Sequence, residues 1–580
     1  MLNWKEVAKR WSESALVDAE LKRELAELEQ NPAQLEDAFY RDLEFGTGGM
    51  RGVMGIGTNR MNVLTIRKAS LGLAHFILHK GEEAKNRGVV IAYDSRHQSY
   101  EFALEAATTL ASNGIKTYVF QSLRPTPQLS FTLRHLKAFS GIVITASHNP
   151  PEYNGFKVYG EDGAQLEPIS ADEVIDYVRN CPSEVEIEVG DRDALMAEGL
   201  IQLLDENYDE PYVSELTNVL LQPALENKEK LSVVFTPLHG TATAPLMKAF
   251  ERTGYANVQT VEEQVVVDPN FSTVKSPNPE EKEAFTLAME KGKKVNADLL
   301  LATDPDADRL GCAVKTENGD YTLLTGNQTG AVLLHYILSQ RAKNNTLPEN
   351  GIVFKTIVTS ELGRKVAAHF GIPTEDVLTG FKFIGEKIRL YQASGEHTFL
   401  FGYEESYGYL LADFARDKDA LQAAVMLVEA AAYYQQQGLT LVDVLHELYE
   451  LHGFHIEALT SVTLKGKDGL AQMGAMMESL RHEPVTQVGD TAVVAVEDYQ
   501  LQKRFDLATD EQTDLTLPPS NVIKLFLEDG TWICVRPSGT EPKIKYYYSV
   551  QANSGQEAEA KLAEFKQTFE QHMTGLSTIS

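Results

Sequence analysis

Apolar positions along this chain fall into short β-rich runs that alternate with helically spaced segments, after an amphipathic helical start in MLNWKEVAKRWSESALVDAELKRELAEL. That alternation predicts α/β domains. A strand-like run, Gly88–Tyr93 (GVVIAY), precedes a helix-like segment, Tyr100–Asn113. After further turns a second apolar strand, Gly141–Thr145 (GIVIT), runs straight into the polar loop Ala146–Asn149. The order recurs as Leu231–Phe235, a helix, and Asp298–Thr303 running into Asp304–Arg309. It recurs again as Gly351–Lys355, the helix Glu361–Phe370, and Thr398–Phe401 running into the loop Gly402–Gly408. Each second strand ends in the most chemically loaded loop of its segment. Ligands in open α/β sheets bind beyond the carboxyl ends of strands, so three such loops suit one central cleft. From about Phe454 the runs HIEALTSVTL, VIKLFLEDGTWICVRP and KIKYYYSV lead to a final amphipathic helix, Gly555–His572, which predicts a smaller α+β domain. The expected organisation is three related α/β domains, 1–204, 205–321 and 322–453, and a C-terminal α+β domain, 454–580.

Length and composition narrow the class. A chain of 580 residues with 43% hydrophobic content has ample material for about three to five domains. Its most apolar stretch, Leu421–Tyr434, carries Gln422 and Glu429 and falls short of the roughly 18 residues that a membrane span needs. The N-terminus has no apolar signal core. Three cysteines, Cys181, Cys312 and Cys534, are far apart and match no zinc spacing, so the expected compartment is the reducing cytoplasm. With 53 basic and 83 acidic residues the net charge of −30 argues against nucleic acid or an anionic membrane as partner. An anionic ligand would need local cations and backbone N–H groups to outweigh that field.

The sharpest chemical signal is Asp304-Pro-Asp306-Ala-Asp308-Arg309. Three carboxylates at alternate positions would lie on one side of an extended segment, and their repulsion calls for a cation. Oxygen-only ligands suit a hard ion such as Mg²⁺. An EF-hand would need Gly and Glu where Arg309 and Lys315 stand, so that reading fails. An aspartyl-phosphate phosphatase with Asp304 as nucleophile is a rival reading.

Thr145-Ala-Ser147-His148-Asn149-Pro-Pro places a hydroxyl just past a buried strand. Adjacent side chains point different ways, so His148 is not expected to sit like the base of a serine-hydrolase triad. Lys157 follows ten residues after Ser147 and is a candidate proton shuttle. Phe45-Gly-Thr-Gly-Gly-Met-Arg51-Gly is a glycine-rich loop that could offer N–H groups and a guanidinium to phosphate, without the Lys of a Walker A motif. Arg536-Pro-Ser538-Gly539-Thr540 makes a plausible anion nest between two β-rich runs. In Gly402-Tyr-Glu404-Glu-Ser406-Tyr-Gly, Glu404 and Ser406 could bond vicinal sugar hydroxyls, and Lys418 follows closely as a phosphate ligand.

Taken in order, T-A-S-H-N-P, D-P-D-A-D-R, G-Y-E-E-S-Y-G and R-P-S-G-T-E-P resemble the α-D-phosphohexomutase superfamily from Gly46 to about Tyr548. Length and the F-G-T-G-G-M-R-G loop look most like its long phosphoglucomutase and phosphopentomutase branch. The resemblance implies a phosphoserine at Ser147, with Asp304, Asp306, Asp308 and a phosphoserine oxygen binding Mg²⁺. It implies Lys157 as general acid/base, helped by His148 and Arg51, with Arg309 adding positive charge. Sugar hydroxyls would be read by Glu404 and Ser406 near Thr379 and Gly380. The non-reacting phosphate would be held by Arg536, Ser538, Gly539, Thr540 and Lys418. Glucose 1,6-bisphosphate is the implied intermediate and activator. Tyr403 departs from the spacing of many members, so glucose, favoured on length and loop form, stands beside mannose and pentose phosphates. A non-catalytic sugar-phosphate sensor is a further alternative, against which the intact Ser147, Lys157 and aspartates argue.

Overall fold

The computed structural model describes residues 3–46, 48–464, 469–538 and 543–579. Contacts divide the chain into two compact units, residues 1–326, 348–350 and 381–440 in one, and 327–347, 351–380 and 441–580 in the other.

The first unit opens with three short helices, Trp4–Glu13, Ala19–Leu28 and Pro32–Phe39. Asp18 caps the second by accepting from the N–H groups of Glu20 and Leu21. Trp11 is fully buried edge-on to Phe39, with ring centroids 5.5 Å apart.

Next comes a seven-stranded mixed sheet in the order Phe45–Gly46, Gly49–Val53, Tyr153–Tyr159, Ser140–Ile144, Val89–Tyr93, Thr117–Phe120, Ile201–Leu204. Its central strands are parallel and read as unbroken apolar runs because helices cover both faces. Ile91, Ile142, Ile144 and Phe156 pack on the side of helices Val63–Lys80 and Ser99–Ser112. Val90, Ala92, Val143 and Tyr159 face Leu129 and Leu133 of helix Thr126–His135.

A second, five-stranded sheet runs Tyr321–Leu324, Leu310–Lys315, Leu299–Thr303, Val233–Thr236, Val258–Thr260. Leu299–Thr303 is parallel to Val233–Thr236 and antiparallel to Leu310–Lys315, so the acidic loop Asp304–Arg309 turns the chain back at the strand end. Helix Ala420–Gln435 completes this unit. Asp419 caps it, and its faces are apolar nearly all round because nearly all are buried.

Thr398–Glu404 outruns the expected strand and forms a hairpin with Gly408–Leu410, pairing Glu404 with Gly408. The expected Gly402–Gly408 loop therefore shrinks to Glu405–Tyr407, where Tyr407 takes φ 64° to close the turn.

In the second unit, Gly351–Thr356 pairs in parallel with Thr374–Val377, and helix Glu361–His369 lies between them in sequence. The C-terminal part is the expected α+β fold. An antiparallel sheet runs in the order Phe454–Thr463, Lys543–Ala552, Trp532–Pro537, Ile523–Leu527, Thr491–Asp498, Lys503–Asp506, Gln512–Asp514. Helices Gly469–His482 and Gly555–Ile579 bury Met473, Met477, Phe565 and Phe569 against it.

Candidate active site

Ser147 lies just past strand Ser140–Ile144, 4% exposed, in a left-handed backbone conformation with φ 52°. Non-glycine residues adopt that conformation only when surroundings enforce it. The Ser147 N–H donates to Thr145 Oγ1 at 2.8 Å, and Thr145 Oγ1 donates to Asp94 Oδ2 at 2.6 Å. The hydroxyl then points across to the second sheet and donates to Asp304 Oδ2 at 2.6 Å.

The left-handed turn also corrects the expectation for His148. Its Nδ1 lies 3.2 Å from Ser147 Oγ, because the reversed backbone swings the two neighbouring side chains together. Burial, then the guanidiniums of Arg309 and Arg51, hold His148 well below the ordinary imidazole range.

The acidic loop is not extended, as its alternate spacing suggested, but a tight turn. Asp304 Oδ1 accepts from the N–H groups of Asp308 and Arg309 at 3.1 and 3.0 Å, and Ala307 takes φ 55°. Thr241 anchors the Pro305 carbonyl through its N–H and hydroxyl at 2.9 and 3.0 Å. The fold brings carboxylate oxygens of Asp304, Asp306 and Asp308 within 4.8 Å of one another, all buried. Burial, followed by the charges of Asp306 and Asp308, pushes Asp304 well above the carboxylate range. Burial works the same way on Asp306, but the charge of Lys157 and hydrogen bonds from Asp304, Lys157 and Thr126 overcome it and hold that carboxyl low. Thr126 Oγ1 donates to Asp306 Oδ2 at 2.8 Å and Lys157 Nζ to the same oxygen at 2.9 Å.

Asp306 Oδ1 and Asp308 Oδ1 are buried and receive no hydrogen bond among the described residues. Buried acceptors without donors are costly, and two converging carboxylate oxygens in that condition fit a hard divalent cation. The donor set therefore suits a divalent metal.

Cations ring the cluster. Lys157 sits on strand Tyr153–Tyr159, 2.9 Å from Asp306 and 3.7 Å from Asp308. Lys418 Nζ lies 3.2 Å from Asp308 and 3.1 Å from Asp417, and those carboxylates together with Glu404 raise its affinity for the proton against the effect of burial. Arg309 pairs with Glu280 and donates to the Ser406 carbonyl at 3.1 Å. Arg51 reaches Asn149 Oδ1 at 2.9 Å from strand Gly49–Val53. The backbone approach beside it explains one glycine: a Cβ on Gly49, at φ 124°, would stand 1.9 Å from the Phe156 carbonyl oxygen.

The first unit thus gathers Ser147, His148, Lys157, Arg51, the three aspartates, Arg309, Glu404, Ser406 and Lys418. Thr379 and Gly380 belong to the second unit, in a bend where Gly380 takes φ 118°. Arg536 and Ser538 also belong to it, half-buried at the end of strand Trp532–Pro537. Gly539 and Thr540 lie outside the described residues. Sequence reasoning missed Asp94 and Arg96, which follow strand Val89–Tyr93 as Asp-Ser-Arg, and Thr126 in Arg-Pro-Thr-Pro. For Asp94 and Arg96 the available signal was position, in the polar segment straight after an apolar parallel strand; Thr126, six residues past strand Thr117–Phe120, carried no such signal.

Models of the phosphoglucomutase/phosphomannomutase family match residues 42–183 (α/β/α domain I), 210–319 (domain II), 325–452 (domain III) and 484–567 (C-terminal domain). The chain belongs to this family. It is accordingly an isomerase of the intramolecular phosphotransferase kind, built of three α/β domains and a C-terminal domain. A phosphoglucomutase of Staphylococcus haemolyticus is 39% identical over 519 residues, 90% of this chain and 92% of that protein. One of Staphylococcus aureus RF122 is 38% identical over 524 residues, 90% and 92% of the two chains. Among solved structures, the open form of Paramecium parafusin, a phosphoglucomutase, aligns over 93% of this chain and 95% of its own with a TM-score of 0.66 at 18% identity. A phosphoglucomutase/phosphomannomutase family protein of Burkholderia thailandensis aligns over 91% and 96% with a TM-score of 0.65 at 19% identity. These two likenesses concern the fold alone. No helix among the described residues is long and apolar enough to cross a membrane.

Proposed function

We propose that the protein is a phosphoglucomutase, interconverting glucose 1-phosphate and glucose 6-phosphate through a phosphoserine at Ser147 and glucose 1,6-bisphosphate. The observation that carries the reading is the Ser147 hydroxyl, held 2.6 Å from Asp304 beside two donorless carboxylate oxygens and within a ring of cations. Phosphoryl transfer asks mainly for positioning and charge neutralisation, and this set provides both. Asp304, Asp306 and Asp308 would hold Mg²⁺, which when bound supplies neutralising charge to the phosphoryl oxygens.

In the forward direction the 6-hydroxyl of glucose 1-phosphate attacks the phosphorus on Ser147. The bond from phosphorus to Ser147 Oγ breaks as a bond to the sugar oxygen forms, and Lys157 relays the proton, taking the sugar hydroxyl's as it gives one up to the leaving Ser147 Oγ. The resulting 1,6-bisphosphate turns round and returns its 1-phosphoryl group to Ser147 Oγ, whose proton passes by the same relay to the freed sugar oxygen. Arg51 and Arg309 balance charge on the transferring group, while His148 adds a hydrogen-bond partner near Oγ. Glu404 and Ser406, with Thr379 and Gly380, select sugar hydroxyls. Arg536, Ser538, Gly539 and Thr540 take the phosphate that is not reacting, whereas Lys418, expected with them, lies 3.2 Å from Asp308 and adds charge at the reacting one.

Asp304 is a poor candidate for a phosphatase nucleophile, since Oδ1 accepts two backbone N–H groups and Oδ2 accepts Ser147. Glucose is supported by the Staphylococcus relatives, which are named phosphoglucomutases. All three cysteines are free, which supports a reducing, cytoplasmic setting. The deciding assay follows glucose 1-phosphate to glucose 6-phosphate with Mg²⁺ and a trace of the 1,6-bisphosphate. Mannose 1-phosphate and ribose 1-phosphate run in parallel. A faster rate with either would replace glucose, and release of free phosphate would replace the mutase.

A further inference from the structure

Arg96 is 3% exposed, yet no step above uses it. Its guanidinium donates to four backbone carbonyls of one short segment. Nη2 reaches Ser147 and Asn149 at 2.6 and 2.5 Å, and Nη1 reaches Pro150 and Tyr153 at 2.8 and 2.9 Å. Nε faces Asp94 Oδ2 at 3.2 Å, the same oxygen that accepts from Thr145. Asp94 Oδ1 accepts from the Arg96 N–H at 2.9 Å and from Ser99 Oγ at 2.8 Å, so the carboxylate is fixed in turn. From the second sheet's side, Phe271 lays its buried ring 5.0 Å from the Arg96 guanidinium carbon. Phe271 takes φ 49°, a conformation rare for a bulky residue.

We infer that Arg96, clamped by Asp94 and covered by Phe271, is the positioning residue that holds Ser147 in its left-handed conformation and so aims Oγ at Asp304. The physical case is one of geometry. Only a planar guanidinium presents enough donors in a fixed fork to satisfy carbonyls on both sides of a turn. A lysine would offer three donors from one point. The left-handed state of Ser147 is intrinsically unfavourable, so its surroundings must hold it. Thr145 grips the Ser147 N–H while Arg96 grips its carbonyl, which fixes both peptide planes of that residue.

The inference rests on the reading of Ser147 as phosphoryl carrier, and two readouts separate the two claims. Hydrogen exchange of the segment 146–153 requires no turnover. Arg96→Lys is expected to speed its exchange about tenfold or more while distant peptides keep their rates. Turnover is then read per titrated phosphoenzyme, so that misfolded protein does not count. The expectation is a fall in kcat on the order of 10²-fold, the cost of a misplacement of about 1 Å, with KM for glucose 1-phosphate within about threefold. Should Arg96 variants fail to fold, the isosteric Thr145→Val, which cuts the link from Asp94 to the Ser147 N–H, is read by the same two measurements. Unchanged exchange together with unchanged kcat per phosphoenzyme would overturn the inference. Wild-type protein inactive on every sugar phosphate would overturn the functional reading instead, and the exchange result would still decide the role of Arg96.

Discussion

Ser147 Oγ and Asp304 Oδ2 lie 2.6 Å apart although 157 positions separate the two residues, and each stands just past a parallel strand of a different sheet. The nucleophile candidate and the metal-loop candidate therefore converge without help from the second unit. Ser147→Ala is expected to lower mutase turnover on the order of 10³-fold or more, because the phosphoryl carrier is lost. Intact-mass measurement should show one phosphoryl group gained by wild type from glucose 1,6-bisphosphate and none by the variant. Retained turnover in the variant would remove Ser147 from the chemistry.

The acid cluster carries a second expectation. Without a bound metal, burial and the crowding of three acids raise Asp304 well above the carboxylate range, and among the described residues two of their oxygens lack donors. Adding Mg²⁺ to EDTA-treated protein should raise the thermal midpoint, by an amount equivalent to about 2.7 kcal/mol at a hundred times the Kd. Asp308→Asn should abolish the Mg²⁺ response. A wild-type midpoint indifferent to Mg²⁺ would take the ion out of this loop.

How much of this was legible in the chain depended on where each residue's role originates. The Asp304–Arg309 loop and Ser147 announced themselves because costly residue types ended apolar strands. The repeat of parallel strand, helix and strand was readable because helices on both faces make the central strands uniformly apolar. The place of Arg96 was signalled by the strand before it, but its role was not readable, since that role lies in backbone carbonyls, which every sequence has. The contact between His148 and Ser147 depends on a left-handed serine, and nothing in the letter Ser signals that conformation. Strand Thr398–Glu404 was drawn short because polar residues at its end look like a turn, while pairing with Gly408–Leu410 carries the strand on.

Gly49 offers a test of backbone approach. Any Cβ there would meet the Phe156 carbonyl oxygen at 1.9 Å, and φ 124° is closed to L side chains without strain. Gly49→Ala is expected to destabilise the first unit by about 3 kcal/mol or more. It should also lower turnover in the remaining folded protein, since Arg51 lies two positions along the same strand and Gly49 pairs with Lys157. Denaturant unfolding checks the first and steady-state kinetics the second. A change below about 1 kcal/mol would mean that strands Gly49–Val53 and Tyr153–Tyr159 are spaced more widely than described.

Glu457, in the second unit, supplies the pH dependence. Burial raises its carboxyl from 4.5 to about 7, against hydrogen bonds from Ser360, Ser549 and Asn327, with Glu361 adding repulsion. A folded value above the unfolded one means that the folded state binds the extra proton. The favourable contribution is therefore intact below about pH 4.5 and is lost as pH rises through 7. Glu457→Gln mimics the protonated carboxyl and should behave like wild type in acid. Above neutrality it should become the more stable protein by an amount on the order of 2 kcal/mol. Urea unfolding of both proteins from acid to alkaline pH measures the difference directly. A gap that stays constant with pH would place the Glu457 carboxylate in an environment that accepts its charge.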